Sequence, residues 1–167
     1  MPLSADELES GYRRLEKPLY NYLFRWFWDA AVCEDLIHDA FERIWKRRAG
    51  IDGKRIDALV WTAVINLARS RHRHLQRWKW VALPRSLVSS ANPETGALGD
   101  EREQSLRQAL SRLPGKAREA LLLELHAGMS RSEIARCLGI PEGTLASRKH
   151  AAIVRLQSLL EVNDDTP

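Results

Sequence analysis

Residues 131–156 read RSEIARCLGIPEGTLASRKHAAIVRL, two helical patterns separated by Gly139-Ile140-Pro141. Ser130, with Glu133 three residues on, is a capping box that starts the first helix, which is predicted to end at Leu138. Gly139 stands where a left-handed residue closes a helix, and Pro141 precedes the next one. Ala135 is small where two helices would cross, Gly139 turns the chain, and Leu145 is the apolar lock between the helices. Small, glycine, apolar at that spacing is the signature of a helix-turn-helix; a plain helical hairpin is the alternative. In the first reading the break sets a steep angle and presents the start of the second helix to a major groove. Thr144, Ser147, Arg148 and Lys149 lie on or near that presented face, and Arg131 and Glu142, at the two helix starts, complete the candidate set.

Upstream of this stretch, helices are predicted over Glu103–Leu113 and Lys116–Ala127, with Pro114-Gly115 between them. In the first half of the chain one helix is expected from about Ser4 to Trp28, where Ser4 and Glu7 form a second capping box. Pro18 argues for a kink or a split. The run Tyr20, Tyr22, Leu23, Phe24, Trp26, Phe27, Trp28 reads as core packing. The next helix, CEDLIHDAFERIWKRR at 33–48, puts Cys33, Leu36, Ile37, Ala40, Phe41, Ile44 and Trp45 on one face. The opposite face carries Asp35, His38, Asp39 and Glu42, an acidic stripe on a basic chain. An acidic start and a basic end suit the helix dipole. The stripe is therefore either a solvated face or a docking face for a basic protein surface.

A third helix begins near Ile56, with apolar residues at 56, 59, 60, 63, 64, 67 and 68 and with Trp61 and Ile65 on a second edge. It runs into ARSRHRHLQRWKW, 68–80, which holds five Arg or Lys, two His and no acidic residue. Trp78 and Trp80 interleave with the charge. Arginine beside aromatic rings suits a phosphate backbone with unstacked bases. His72 and His74, two apart, fall on different helix faces and make no metal site. Before this helix lies the loop AGIDGKRID, 49–57. Its glycines, Gly50 and Gly53, let backbone approach a ligand closely, and polar side chains beside them, among Asp52, Lys54, Arg55 and Asp57, can read the edge of a base. A surface turn whose polarity is only solvation is the alternative.

Between the two halves lies VALPRSLVSSANPETGALGDEREQ, 81–104, with two prolines, two glycines and no lasting apolar period. Those are linker signals. Residues 1–80 carry 15 Lys and Arg against 11 Asp and Glu, the connector 2 against 4, and residues 105–167 carry 9 against 7. The expected fold is all-α: two small helical domains, 1–80 and 103–167, joined by a flexible linker over 81–102, the C-terminal domain being the helix-turn-helix. The formal net charge of +4 is compatible with a nucleic-acid partner without being diagnostic of one. No apolar run approaches the roughly 20 residues that span a bilayer. No signal-peptide pattern opens the chain. No membrane insertion and a cytoplasmic location are therefore expected. Cys33 and Cys137 sit singly in helical apolar patterns and read as small hydrophobes. The chain shows no metal-ligand cluster, no phosphate-cradling glycine loop and no Ser/His/Asp set at usable spacing, so no catalytic residue, metal or cofactor is expected.

Taken together these segments resemble the extracytoplasmic-function sigma factors of bacterial RNA polymerase. EDLIHDAFERIW is similar to the family's Asp-Leu, Gln-Glu or Gln-Asp, Phe-aromatic pattern, with His38 in place of the usual Gln. ALVWTAVINLARSRHR is similar to its Trp-Leu, aromatic, Ile-Ala, Asn, Ala segment, with Leu59-Val60 at the Trp-Leu pair. RLPGKAREALLLELHAGMSRSEIARCLGIPEGTLASRKHAAIVRL resembles the family's helix-turn-helix domain nearly end to end. The resemblance covers about residues 10–80 and 103–160.

It implies that Asp35, His38, Asp39 and Glu42 bind the β′ clamp helices of core RNA polymerase. The loop 49–57 would capture an unstacked non-template base of the −10 promoter element, and the third helix would hold the opened strand. The residues implied there are Asp52, Lys54, Arg55, Trp61, Asn66, Arg69, Arg71 and Arg73. The last domain would read the −35 element through Arg131, Glu142, Thr144, Ser147, Arg148 and Lys149, and would touch the β flap. An anti-sigma factor is a further partner that such a chain can have. Ala146, Ala151 and Ile153 stand where the family commonly has basic residues, which implies fewer phosphate contacts at the −35 element, with Lys149 and Arg155 compensating in part. The rival reading is a stand-alone helix-turn-helix regulator, which leaves the acidic stripe and the basic-aromatic third helix without a role.

Overall fold

The computed structural model describes residues 2–80 and 97–164. The chain divides into two compact units, 1–90 and 91–167. In the first, α1 (Ala5–Phe27), α2 (Ala30–Lys46) and α3 (Ile56–Trp80) lie against one another as a three-helix bundle. Two short 3-10 turns, Arg48–Gly50 and Gly53–Arg55, join α2 to α3. Among the described residues there is no strand, only an isolated antiparallel bridge between Pro2 and Asp52.

Helix α1 opens with the expected capping box, in which Ser4 and Glu7 each satisfy a backbone N–H of the other. It then runs as one helix through Pro18 to Phe27, so of the kink or split that proline argues for, the split does not occur. Pro18 forfeits one backbone hydrogen bond, but Leu15 and Leu19 on either side, with Tyr22 and Leu23 beyond, are buried. That apolar burial outweighs one lost bond, at about 1.5–3 kcal/mol for each fully buried side chain. Trp28 ends the helix in the left-handed region, at φ 52°. Asp29 then accepts a hydrogen bond from the Val32 N–H and caps α2, which starts three residues before the expected Cys33.

The buried face of α2 is Cys33, Leu36, Ile37, Ala40, Phe41 and Ile44, as its periodicity predicts. On α3 the buried stripe is Ile56, Val60, Trp61, Val64, Ile65, Leu67 and Ala68, whereas Leu59 and Ala63 are half-buried. The second edge of the helix therefore belongs to the core. The aromatic run of α1 is only partly core. Tyr22 is fully buried, while Tyr20, Phe24, Trp26, Phe27 and Trp28 are half-buried.

The second unit holds α4 (Ala97–Ser111), α5 (Gly115–His126), α6 (Arg131–Leu138) and α7 (Glu142–Asp164), with α7 lying against the other three. Helix α4 begins at Ala97, inside the segment expected as linker. The rest of the expected linker, 81–96, lies outside the described residues. Leu110, Leu113, Ala120, Leu122, Leu123, Ile134, Leu145 and Ala152 form the core of this unit. No described helix is long and apolar enough to cross a membrane.

Candidate nucleic-acid interface

The helix-turn-helix is built from α6 and α7. Ser130 and Glu133 close a capping box at the start of α6. Glu133 lies below the usual carboxylate range because the Ser130 backbone N–H, and then its hydroxyl, donate to it. At the other end Gly139 is left-handed, at φ 67°. Its N–H donates to Arg136 O at 3.2 Å, and the Ile140 N–H reaches back to Ala135 O at 3.0 Å. This pair of bonds is a Schellman closure, and it satisfies carbonyls that a helix end leaves open. Pro141 O then accepts from the Thr144 and Leu145 N–H groups and starts α7. Ala135 and Leu145, the small and apolar members of the signature, are both buried.

The −35 candidates occupy different environments. Ser147 and Glu142 are exposed, and Thr144 and Arg148 are half-buried. Arg131 and Lys149 converge on Glu124 of α5: Arg131 Nε donates to Glu124 Oε1 at 3.1 Å, and Lys149 Nζ pairs with Oε2. The Glu124 side chain is only 9% exposed. Burial pushes its pKa up, yet the hydrogen bonds and charges of Lys149 and Arg131 outweigh that and leave it lowered. One carboxylate thus joins α5, α6 and α7. Lys149, expected on or near the presented face, is half-buried and paired with Glu124. His150, which the sequence reading passed over, is exposed three positions from Ser147 on the outward face.

In the first unit, Asp35, His38, Asp39 and Glu42 are all exposed on the side of α2 opposite its core face. Lys46 pairs with Glu42 at 2.6 Å and, as hydrogen-bond donor first and charge second, lowers the carboxyl pKa. Asp35, His38 and Asp39 have no hydrogen-bond or ion-pair partner among the described residues.

The loop residues Lys54 and Arg55 are exposed, whereas Asp52 spends one carboxylate oxygen on the Lys54 N–H at 3.1 Å to cap its turn. Asn66, Arg69 and Arg73 are exposed and fall on one face of α3 at i, i+3 and i+7. Arg77, also exposed, extends that face by one turn, and its i+4 spacing from Arg73 was the signal for it. Arg71 lies on another side of the helix, in register with buried Val60 and Val64. Trp61 does not belong to the site. It is fully buried, with its ring edge-on to Tyr22 at 5.7 Å, so it has no surface to offer a base. Trp78, by contrast, is 53% exposed near the end of α3, and its indole N–H donates to His74 Nε2 at 2.7 Å. Among the described residues no group of His, Cys, Asp or Glu could hold a metal ion.

A model of the family described as Sigma-70, region 4 matches residues 103–156. The probable RNA polymerase sigma factor RfaY of Xanthomonas campestris pv. campestris is 31% identical over 83% of this chain, which spans only 36% of that relative's length. The RNA polymerase sigma-E factor of Streptomyces antibioticus is 30% identical, with 81% of this chain and 74% of the relative covered. The ECF RNA polymerase sigma factor SigL of Mycobacterium tuberculosis is also 30% identical, with 86% and 82% covered. Two solved structures share the fold. One is CnrH in complex with the cytosolic domain of CnrY, with a TM-score of 0.72 at 19% identity over 95% of this chain and 89% of that one. The other is the sigma factor RpoE in complex with the anti-sigma factor NepR from Bartonella quintana, with a TM-score of 0.68 at 24% identity over 95% and 99%. With relatives matched at 30% identity across most of both chains and the helix-turn-helix half matched by its own family model, the chain belongs to the extracytoplasmic-function sigma factors of RNA polymerase.

Proposed function

We propose that this chain works in the cytoplasm: it binds core RNA polymerase, recognises the −10 and −35 elements of its promoters and starts transcription of a specific stress or envelope gene set. In this reading Asp35, His38 and Asp39, with Glu42 partly neutralised by Lys46, meet the β′ clamp helices. Lys54 and Arg55 of the loop, with Asp52 shaping it, read a −10 base. Asn66, Arg69, Arg73 and Arg77 hold the strand. The start of α7 reads the −35 element, through Glu142, Thr144, Ser147 and Arg148, with the β flap as a further contact. An anti-sigma factor is proposed as a regulator, on the strength of the two solved relatives, whose structures contain CnrY and NepR.

The observation that carries this reading is the first unit. Its α2 carries an exposed stripe in which Asp35 and Asp39 have no ion-pair partner among the described residues, and its α3 carries an exposed basic face. A regulator that bound duplex DNA unaided would need only the second unit. The test is a gel shift on promoter DNA with and without core polymerase. A specific complex that forms only with core supports the proposal. Tight specific binding by the chain alone, unchanged by core, would favour the stand-alone regulator.

A further inference from the structure

The first turns of α1 and the residues before them touch the α2–α3 connection at five successive places. Leu3 is 3% exposed, and its N–H donates to Arg48 O at 3.2 Å. Pro2 bridges to Asp52. Gly53 lies so close to Glu7 that a Cβ there would stand 2.7 Å from the carboxyl carbon. Glu7 is itself held by the Ser4 N–H at 2.9 Å and the Ser4 hydroxyl at 3.1 Å. Gly11 receives Ile56, whose Cδ1 is 2.9 Å from where a Cβ would be. Finally Arg14 grips Asp57, at the start of α3, through two parallel bonds of 3.1 and 2.5 Å.

None of these contacts uses Lys54 or Arg55, which remain exposed between the anchored points. A loop fixed on both sides of two free side chains offers them in one geometry, and the ordering cost of binding is met in advance. We infer that the segment before α1, together with the first half of α1, is a clamp that sets the loop for base reading, and that Arg14 is a positioning residue for −10 selectivity. The inference rests on the proposed role of that loop. In this role Arg14 acts through Asp57 and not on a base.

The pair suits a test because it is half-exposed, at 51% and 45%, so its loss leaves the fold in place. The full chain, with core polymerase, is compared with Arg14→Gln, Asp57→Asn and the double variant. The readouts are run-off transcription on a promoter library randomised at −10, core affinity, and hydrogen exchange of the loop amides in the free protein. Each single variant should reduce discrimination among −10 bases by about three- to tenfold, and the double variant should be no worse than either single one. Exchange at Ile51 and Arg55 should rise, while core affinity and −35 preference hold. Leu3→Ala, cutting the clamp elsewhere, should raise the same exchange. Lys54→Ala and Arg55→Ala test the loop reading separately. If these two lower discrimination but Arg14→Gln changes neither discrimination nor exchange, the clamp is overturned and the loop reading stands. If exchange rises in Arg14→Gln while no variant of either set alters discrimination, the loop reading falls, and the role of Arg14 in selectivity falls with it.

Discussion

Asp39 shows how much one residue can be asked to do. It is exposed, unpaired among the described residues and opposite the buried face of α2. Asp39→Lys should therefore spare the fold and weaken binding to core polymerase by about tenfold, since like charges across a docking face are costly. Core binding at wild-type strength by a folded variant would remove α2 from the polymerase interface. Arg148 faces a different question, because it is half-buried beside Leu145 and Ala152 on α7. If its guanidinium reads a base, Arg148→Ala should cost roughly 1–3 kcal/mol and relax preference at one −35 position. If it meets only phosphate, the loss should be uniform over sequences, with a salt slope shallower by about one. A binding assay in which neither affinity nor slope moved would take Arg148 out of the site. Residues of this kind were legible one at a time only when their own helix decided their exposure. Trp61 was misread because composition cannot tell a stacking ring from a core ring; Tyr22, 39 positions earlier in sequence, decides it. The pairing of Lys149 with Glu124 was not legible because Glu124 sits on another helix.

At the scale of elements, the sequence spoke clearly wherever the signal was local. Both capping boxes, the left-handed Gly139 and the apolar face of α2 follow from residues within two turns of each other. Of the kink or split that Pro18 argues for, the split is absent, because the proline penalty is local whereas the burial that overcomes it is tertiary. Glu124 is the element-scale feature that no local pattern could reveal, as it draws cations from α6 and α7 onto α5. Its pKa is lowered from the ordinary 4.5. A carboxyl depressed in the folded state contributes stability that is present above the ordinary value and is lost as pH falls through the folded one. The second unit should accordingly melt at lower temperature as pH drops below the ordinary 4.5. Glu133, lowered in the same direction, contributes to that fall. Glu124→Gln should flatten it in part, leaving the contribution of Glu133. An identical pH profile in wild type and Glu124→Gln would show that the three-helix ion cluster adds nothing to stability. Cys33 has no part in this range, since burial first, then Asp29 and Glu34, push its thiol up to about 12.

For the whole molecule, two helical units were legible because a Pro- and Gly-containing, acidic connector separates two basic stretches with their own apolar periods. The start of α4 was not, because its first residues carry no amphipathic pattern strong enough to part them from a linker. The connector also makes the last prediction. In the proposed reading two DNA-reading units on one chain raise each other's effective concentration, and a connector that served only as a tether would lose that gain roughly as the −3/2 power of its length. Doubling residues 81–96 with Gly-Ser sequence should then cost about 0.6 kcal/mol, close to threefold, in binding a promoter that carries both elements. Binding to core polymerase through the first unit should not change, and the tolerated spacing between the −10 and −35 elements should widen. Titration of wild type and the lengthened chain, each with core, on promoters of varied spacing measures both quantities. A loss far beyond threefold, with no broadening of spacing, would mean that the connector makes specific contacts in the initiation complex. In that case its sequence, and not only its length, would tie the two readings together.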